Sequence, residues 1–209
     1  MATTTRQRLV ETAEKRFYRD GFRNVGLDQI LSDVGITKTA FYKHFACKED
    51  LMLEVLERQN GMMQQQFMDL LRTRAGRAAN KQLYAVFDVV EEIISSKEFQ
   101  GCIFVNAAIE FPLPHDPVYK AAARNKQMIE QIVHDIGERA GADNPQSLAQ
   151  ELCMIMEGAY VTRLVTGNPK TIEIARRLAQ RTIDARLPGK TPALQASPLK
   201  RKSAVSRRR

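Results

Sequence analysis

From Leu9 to Leu187 apolar residues recur every three or four positions, and most breaks in that rhythm fall on Gly or Pro. That spacing lines one stripe of an α-helix, whereas a half-buried strand needs alternation by two. Leu9, Val10, Ala13 and Phe17 predict a first helix, stopped at Asp20-Gly21, where Gly accepts the left-handed conformation that ends helices. Leu27, Ile30, Leu31 and Val34 mark a short second helix stopped by Gly35. Thr37 suits the N-cap of a third, about Lys38 to Phe45, because its hydroxyl can accept a bond from a first-turn amide. Lys48 opens a long fourth helix to about Arg74, ahead of the break "RAGRAAN". In "LYAVFDVVEEII" the residues Leu83, Val86, Phe87, Val90, Ile93 and Ile94 share one stripe, the clearest amphipathic signal in the chain. Gly101 precedes a short apolar segment, "CIFVNAAIEF", and the prolines of "PLPHDP" exclude helix there. Pro117 suits the first turn of the next helix, which runs to Gly141. Pro145 starts another, and "TIEIARRLAQRTIDARL" is the last. No strand pattern or internal repeat stands out, so the expected fold class is all-α.

No apolar run reaches the roughly 18 residues that a membrane span needs, and "MATTTRQRL" has no apolar signal-peptide region. Cys47, Cys102 and Cys153 are spaced too widely for a disulfide framework or a zinc site, so a reducing cytoplasm is the expected setting. The net charge of +8 is mostly one segment: residues 188–209 hold Lys190, Lys200, Arg201, Lys202, Arg207, Arg208 and Arg209 and no acid. That Pro-, Ser- and basic-rich tail is expected to be disordered. A second, smaller excess lies at the front, where residues 1–48 carry nine bases against five acids. The expected division is a unit at 1–47, a larger helical unit at 48–187 and the tail at 188–209.

The front unit contains "TKTAFYKHFACKEDL", Thr37 to Leu51, with three aromatics interleaved with Lys38, Lys43 and His44. Two short helices joined by Gly35-Ile36 form a helix-turn-helix, whose second helix enters the DNA major groove by its N-terminal end. Phe41 and Phe45, four apart, face inward. Lys38, Thr39, Tyr42 and Lys43 then face outward beside the small Ala40. Lys can bond a guanine edge or a phosphate, a Thr methyl can touch a thymine methyl, and Tyr42 can bond a phosphate oxygen. The start of the fourth helix, Cys47-Lys48, offers free amides and a positive charge to another phosphate. The competing reading is a packed aromatic edge with solvated charges.

"AEKRFYRDGF", "GLDQILSDVGITKTAFYKHF" and "KEDL", in this order and spacing, resemble the DNA-binding domain of TetR-family repressors. The helical remainder fits the family's ligand-binding and dimerisation domain. The resemblance implies a homodimer on a double-stranded, palindromic DNA operator, repressing until a small-molecule inducer releases it. Carried over, Thr37, Lys38, Thr39, Tyr42, Lys43 and His44 are recognition positions, and Lys48 contacts the DNA backbone. Two departures stand out: Gly26 replaces the Ser or Thr usual before the second helix, and Cys47 replaces a better cap before the fourth. "GLDQIL" and "GCIFVNAAIE" further resemble electrophile-sensing repressors of the NemR type, in which a cysteine just after the matching Gly reacts with the inducer. Cys102 holds that position; the plainer alternative is a packed thiol, as expected for Cys153.

For an effector pocket the candidates are the apolar Met62, Met63, Phe67, Phe87, Phe104 and Met156 and the polar Asn106, Glu110, His115 and Tyr160. Ligand sites are largely apolar with a few polar groups that fix orientation; His115, in a Pro-rich loop, is expected to face solvent. The last two helices, about 145–187, are the dimerisation candidates. Gly158-Ala159 permits close approach, and Ile172, Ala175, Leu178, Ala179 and Ile183 form a stripe that two copies would pack into a four-helix bundle. An enzyme is disfavoured: His numbers three, and no nucleophile–base pair, metal cluster or phosphate-binding Gly loop appears. No cofactor is implied. A helical adaptor is the third reading.

Overall fold

The computed structural model describes residues 3–188, so the basic tail from 189 onward, expected to be disordered, lies outside the described residues. Among the described residues there are nine helices and no strand: α1 (Thr5–Asp20), α2 (Leu27–Val34), α3 (Lys38–Tyr42), α4 (Lys48–Ala75), α5 (Ala79–Ile94), α6 (Ile103–Glu110), α7 (Pro117–Arg139), α8 (Pro145–Thr166) and α9 (Thr171–Arg186). Local chemistry sets most boundaries. Thr4 and Gln7 form a reciprocal capping box at α1, and Asp116 and Asn144 cap α7 and α8, each with Pro in the first turn. Gly35 ends α2 at φ +72°, and Gly167 ends α8 at φ +64°.

α3 is shorter than its sequence predicts, ending at Tyr42 rather than Phe45. The Phe41 carbonyl accepts from both the His44 amide (2.8 Å) and the Phe45 amide (3.1 Å), which tightens the last turn out of α-geometry. Phe45 nevertheless reaches the interior beside Phe41.

Two cores organise the chain. The head core joins α1, α2 and α3 to the first turns of α4, and it also takes in Phe104 and Ala107 of α6 and Val118 of α7. The bundle core gathers the second half of α4 with α5, α7, α8 and α9. Thus α6 belongs to the head by packing, although some fifty residues of sequence separate it from α4's start. The salt-bridged fork Arg16–Asp33 (2.6 and 2.9 Å) pins α1 to α2, and it holds the Asp33 carboxyl below the usual range.

Candidate DNA interface and effector cavity

At the exposed end of the head, Phe41 is fully buried and Tyr42 is 57% exposed, so the alternation expected of α3 is present. Thr37 caps α3 through its hydroxyl, which accepts from the Ala40 amide at 3.2 Å. Thr37, Lys38, Thr39, Tyr42, Lys43 and His44 are all exposed along this short segment. Lys38 is not idle: its ammonium pairs with Asp28 of α2 at 2.9 Å, and that hydrogen bond raises its pKa. Gly26 has no side chain to cap α2, and Gln29 answers from the other side, its Oε1 accepting the Gly26 amide at 2.8 Å.

Lys48 is placed differently from its expected role. Its ammonium donates to the Phe22 carbonyl at 2.7 Å and lies over the Phe17 ring, and burial pulls its pKa below the usual lysine range. A phosphate at the start of α4 would therefore meet backbone amides rather than this charge. Cys47 makes no capping bond. Asp50 reaches back to the Ala46 amide at 3.2 Å, a cap that the sequence reading missed.

A cavity of about 330 Å³ opens between α1 of the head and the bundle. Glu14, Lys15 and Tyr18 of α1 face Gln59, Met63 and Gln66 of α4, with Ile93, Phe99, Gly101, Cys102, Ile103 and Tyr160 completing the wall. A smaller space of about 50 Å³ continues inward past Phe67, Asn125, Lys126, Met156 and Glu157, and the two share Met63, Gln66, Ile93, Cys102 and Tyr160. Of the expected pocket residues, Met63, Phe67, Met156 and Tyr160 line this space, together with Cys102. Four lie elsewhere. Phe87 is sealed in the bundle core and Phe104 in the head core. Asn106 donates to the Gln100 carbonyl, and Glu110 is a bridge between α6 and the head. Met62 is exposed on the outer surface of α4, and His115 faces solvent.

The sequence reading missed the α1 contribution altogether. Tyr18 is the pivotal residue: its hydroxyl accepts from the Gln100 amide at 2.9 Å and donates to the Gly101 carbonyl at 3.1 Å. At the other end of α6 the Glu110 carboxylate accepts from the Phe22 amide (2.9 Å) and the Arg23 amide (2.7 Å), while Arg23 Nε donates to the Glu110 carbonyl at 2.7 Å. The two flanks of α6 are therefore tied to the end of α1 and to the loop that follows it. No sequence period could signal bonds between residues more than eighty positions apart.

Inside the cavity Lys126 Nζ lies 3.2 Å from Cys102 Sγ and 2.6 Å from Glu157 Oε1. Burial pulls the Lys126 pKa down, but its contacts with Cys102 and Glu157 outweigh it, so the net shift is upward and the amine stays an ammonium. Burial pushes the Cys153 thiol up to about 12, and it keeps the Tyr160 phenol neutral. Gly101 sits at φ +87°, and a Cβ there would come within 2.9 Å of Leu164 on α8, so a side chain at this turn into α6 would be strained and would push Leu164 aside.

On α8 and α9 the stripe expected to pair two copies is largely internal. Ile172, Ala175, Ala179 and Ile183 are buried in the chain's own bundle core, and Ala159 is buried too. The apolar residues that do face out are Met154, Val161, Leu164 and Val165 of α8 with Ile174 and Leu178 of α9, and Gly158 lies open among them. Among the described residues one trio could reach a metal, His134, Asp135 and Glu138 on the surface of α7, where Gln131 and His134 already engage Asp135. No helix of the described residues is long and apolar enough to cross a membrane.

Comparison with known proteins places both halves. The model of bacterial regulatory proteins of the tetR family matches residues 9–55, and that of the tetracyclin repressor-like C-terminal domain matches residues 79–179. The chain is 23% identical over 178 residues to the HTH-type transcriptional regulator YjdC of Escherichia coli (strain K12), covering 84% of this chain and 91% of YjdC. It is 26% identical over 106 residues to the transcriptional repressor NemR of the same organism, covering 51% of this chain and 53% of NemR. The structure of SCO4454, a TetR-family regulator of Streptomyces coelicolor, superposes with a TM-score of 0.81 at 27% identity over 87% of this chain and 95% of that one.

Proposed function

The chain belongs to the tetR family of bacterial regulatory proteins and is a DNA-binding transcriptional regulator rather than an enzyme; from that premise we propose that it is a cytoplasmic repressor, acting as a homodimer on a palindromic operator and released by a small molecule in the α1–bundle cavity. The observation that carries this reading is the shared wall. Glu14 and Tyr18 of the DNA-binding head line the same space as Met63 and Tyr160 of the bundle, so an occupant touches both halves at once. Thr37, Lys38, Thr39, Tyr42, Lys43 and His44 are the proposed DNA-reading residues, with Lys48 contributing its backbone amide. The outward apolar residues of α8 and α9 are the proposed dimer face, and two such faces make the twofold that a palindrome needs. A gel-shift on DNA from the chain's own promoter region tests it. Sequence-specific retardation that a metabolite panel reverses supports the reading. A well-folded dimer that shows no retardation at low salt overturns it.

A second reading has its own observation. Cys102 Sγ stands at the cavity wall, where an occupant can reach it, and accepts from Lys126 Nζ at 3.2 Å. Electrophiles such as quinones or aldehydes would then release DNA by covalent addition at Cys102. Under that reading Cys102→Ser still binds DNA but no longer releases it on treatment. A wild-type complex that survives the whole electrophile panel sinks it.

A further inference from the structure

We propose that the α1–bundle cavity takes a small apolar amine in its protonated form, held by Glu14 and Glu157. The inference rests on the reading of that cavity as the effector site and names its ligand class. Glu14 lines the outer space and Glu157 the inner one, and in each the oxygen Oε2 is buried and accepts no hydrogen bond. Glu157 gives Oε1 to Lys126 at 2.6 Å and keeps Oε2 bare. Arg58 Nε stands 3.8 Å from Glu14 Oε2, within ion-pair range but beyond hydrogen-bond reach, and its guanidinium donates instead to Glu11 at 3.2 Å. A buried acceptor without a donor keeps its desolvation cost uncompensated. An ammonium N–H compensates it best, because charge-assisted bonds are about twice as strong as neutral ones.

The wall between the two carboxylates suits the rest of such a ligand. Tyr18, Phe99, Tyr160 and Met63 are among the lining residues. Aromatic faces carry negative charge density and attract cations, while the apolar area accepts a hydrocarbon body. An acidic ligand fits poorly. The interior cation, Lys126, is engaged by Glu157 and Cys102, and Lys15 is exposed at the mouth. A ligand carboxylate reaching Lys126 would sit beside the Glu157 carboxylate, a like-charge contact that is unfavourable away from water.

Calorimetric titration of the full chain with phenylbutylamine, phenylbutanol and phenylbutanoate near neutral pH tests this, because the three share a body and differ in head group. The amine is expected to bind at least about tenfold tighter than the alcohol, the ratio that one stronger head-group bond confers. Glu14→Gln and Glu157→Gln should each erode that ratio several-fold by weakening the amine more than the alcohol. A thermal melt accompanies each variant; if removing the Lys126 partner unfolds Glu157→Gln, Glu14→Gln decides alone. Equal or tighter binding of alcohol or acid, no binding of the amine, or an unaltered ratio in Glu14→Gln overturns the proposal. A gel-shift separates the two levels. If phenylbutanoate releases DNA, the amine class falls and the effector reading stands. If the amine binds with the expected preference and the DNA complex persists, the class stands and the effector reading falls.

Discussion

In the head, Phe41 stacks on Phe45 at 5.7 Å and Phe17 on Phe22 at 5.0 Å, and all four rings are buried. In the bundle, Phe99 meets Tyr160 at 6.0 Å with a 44° tilt, beside about 330 Å³ of cavity. The same residue types thus serve opposite ends. A surface that reads DNA needs an unyielding backing, since small displacements of α3 misplace every base contact. The proposed effector site needs spare volume, and the chain concedes packing beside Phe99 and Tyr160. Stability is therefore unevenly distributed, with the head close-packed and the cavity wall loose.

The sharpest way to break this contrast is to truncate a ring on each side. Phe41→Ala should cost about 3–5 kcal/mol and abolish DNA binding, whereas Phe99→Ala, which already borders open space, should cost about 1–2 kcal/mol. Denaturant melts of both variants decide it, and equal costs would erase the distinction. Next in size, Val165→Glu places a charge in the proposed dimer face and should weaken self-association roughly 100-fold, about 3 kcal/mol. Light scattering across a dilution series reads this, and an unchanged dimer would move the interface elsewhere.

Glu110→Ala removes the acceptor of two head amides and should lower stability by about 2 kcal/mol. It should also loosen the coupling of α6 to the head, seen as faster amide exchange at Phe22 and Arg23. If exchange there is unaltered, the bridge is ornamental. The smallest effects lie on the reading surface. Lys43→Ala should weaken binding to all sequences and lower the salt slope by about one. Asp28→Asn, which frees Lys38 from its surface pair, should strengthen DNA binding by roughly two- to fivefold. Weaker binding by Asp28→Asn would mean that the pair orients Lys38 instead of competing for it.

How far the sequence could be read follows the same divide. Helix starts and stops are local: Thr37, Gly35, Pro117 and Pro145 act within one turn, and their placement agrees with the sequence reading. The inward turn of Phe41 and Phe45 is equally local, a matter of four-residue spacing. The cavity is not. Phe87 and Phe99 look alike in sequence, yet one is sealed and the other lines space, because the difference lies in what packs opposite. The α9 stripe was misassigned for a related reason: Ile172, Ala175, Ala179 and Ile183 mark an apolar face, but nothing local tells whether its partner is α5 and α8 of the same chain or another copy. Glu110 stands in the sequence only as a polar pocket candidate, since the amides it serves lie nearly ninety residues upstream.

The two bonds of the Tyr18 hydroxyl have one more consequence. A ligand lodged against this side chain shares a wall with the element that carries the DNA-reading helices, so any free energy by which it loosens DNA must reappear, with the same magnitude, as DNA loosening the ligand. Under the proposed effector reading the operator is an antagonist of the small molecule. Protein held on its site should measure as a poorer receptor than protein free in solution, and the number of operator copies in a cell would set the concentration at which the signal is heard.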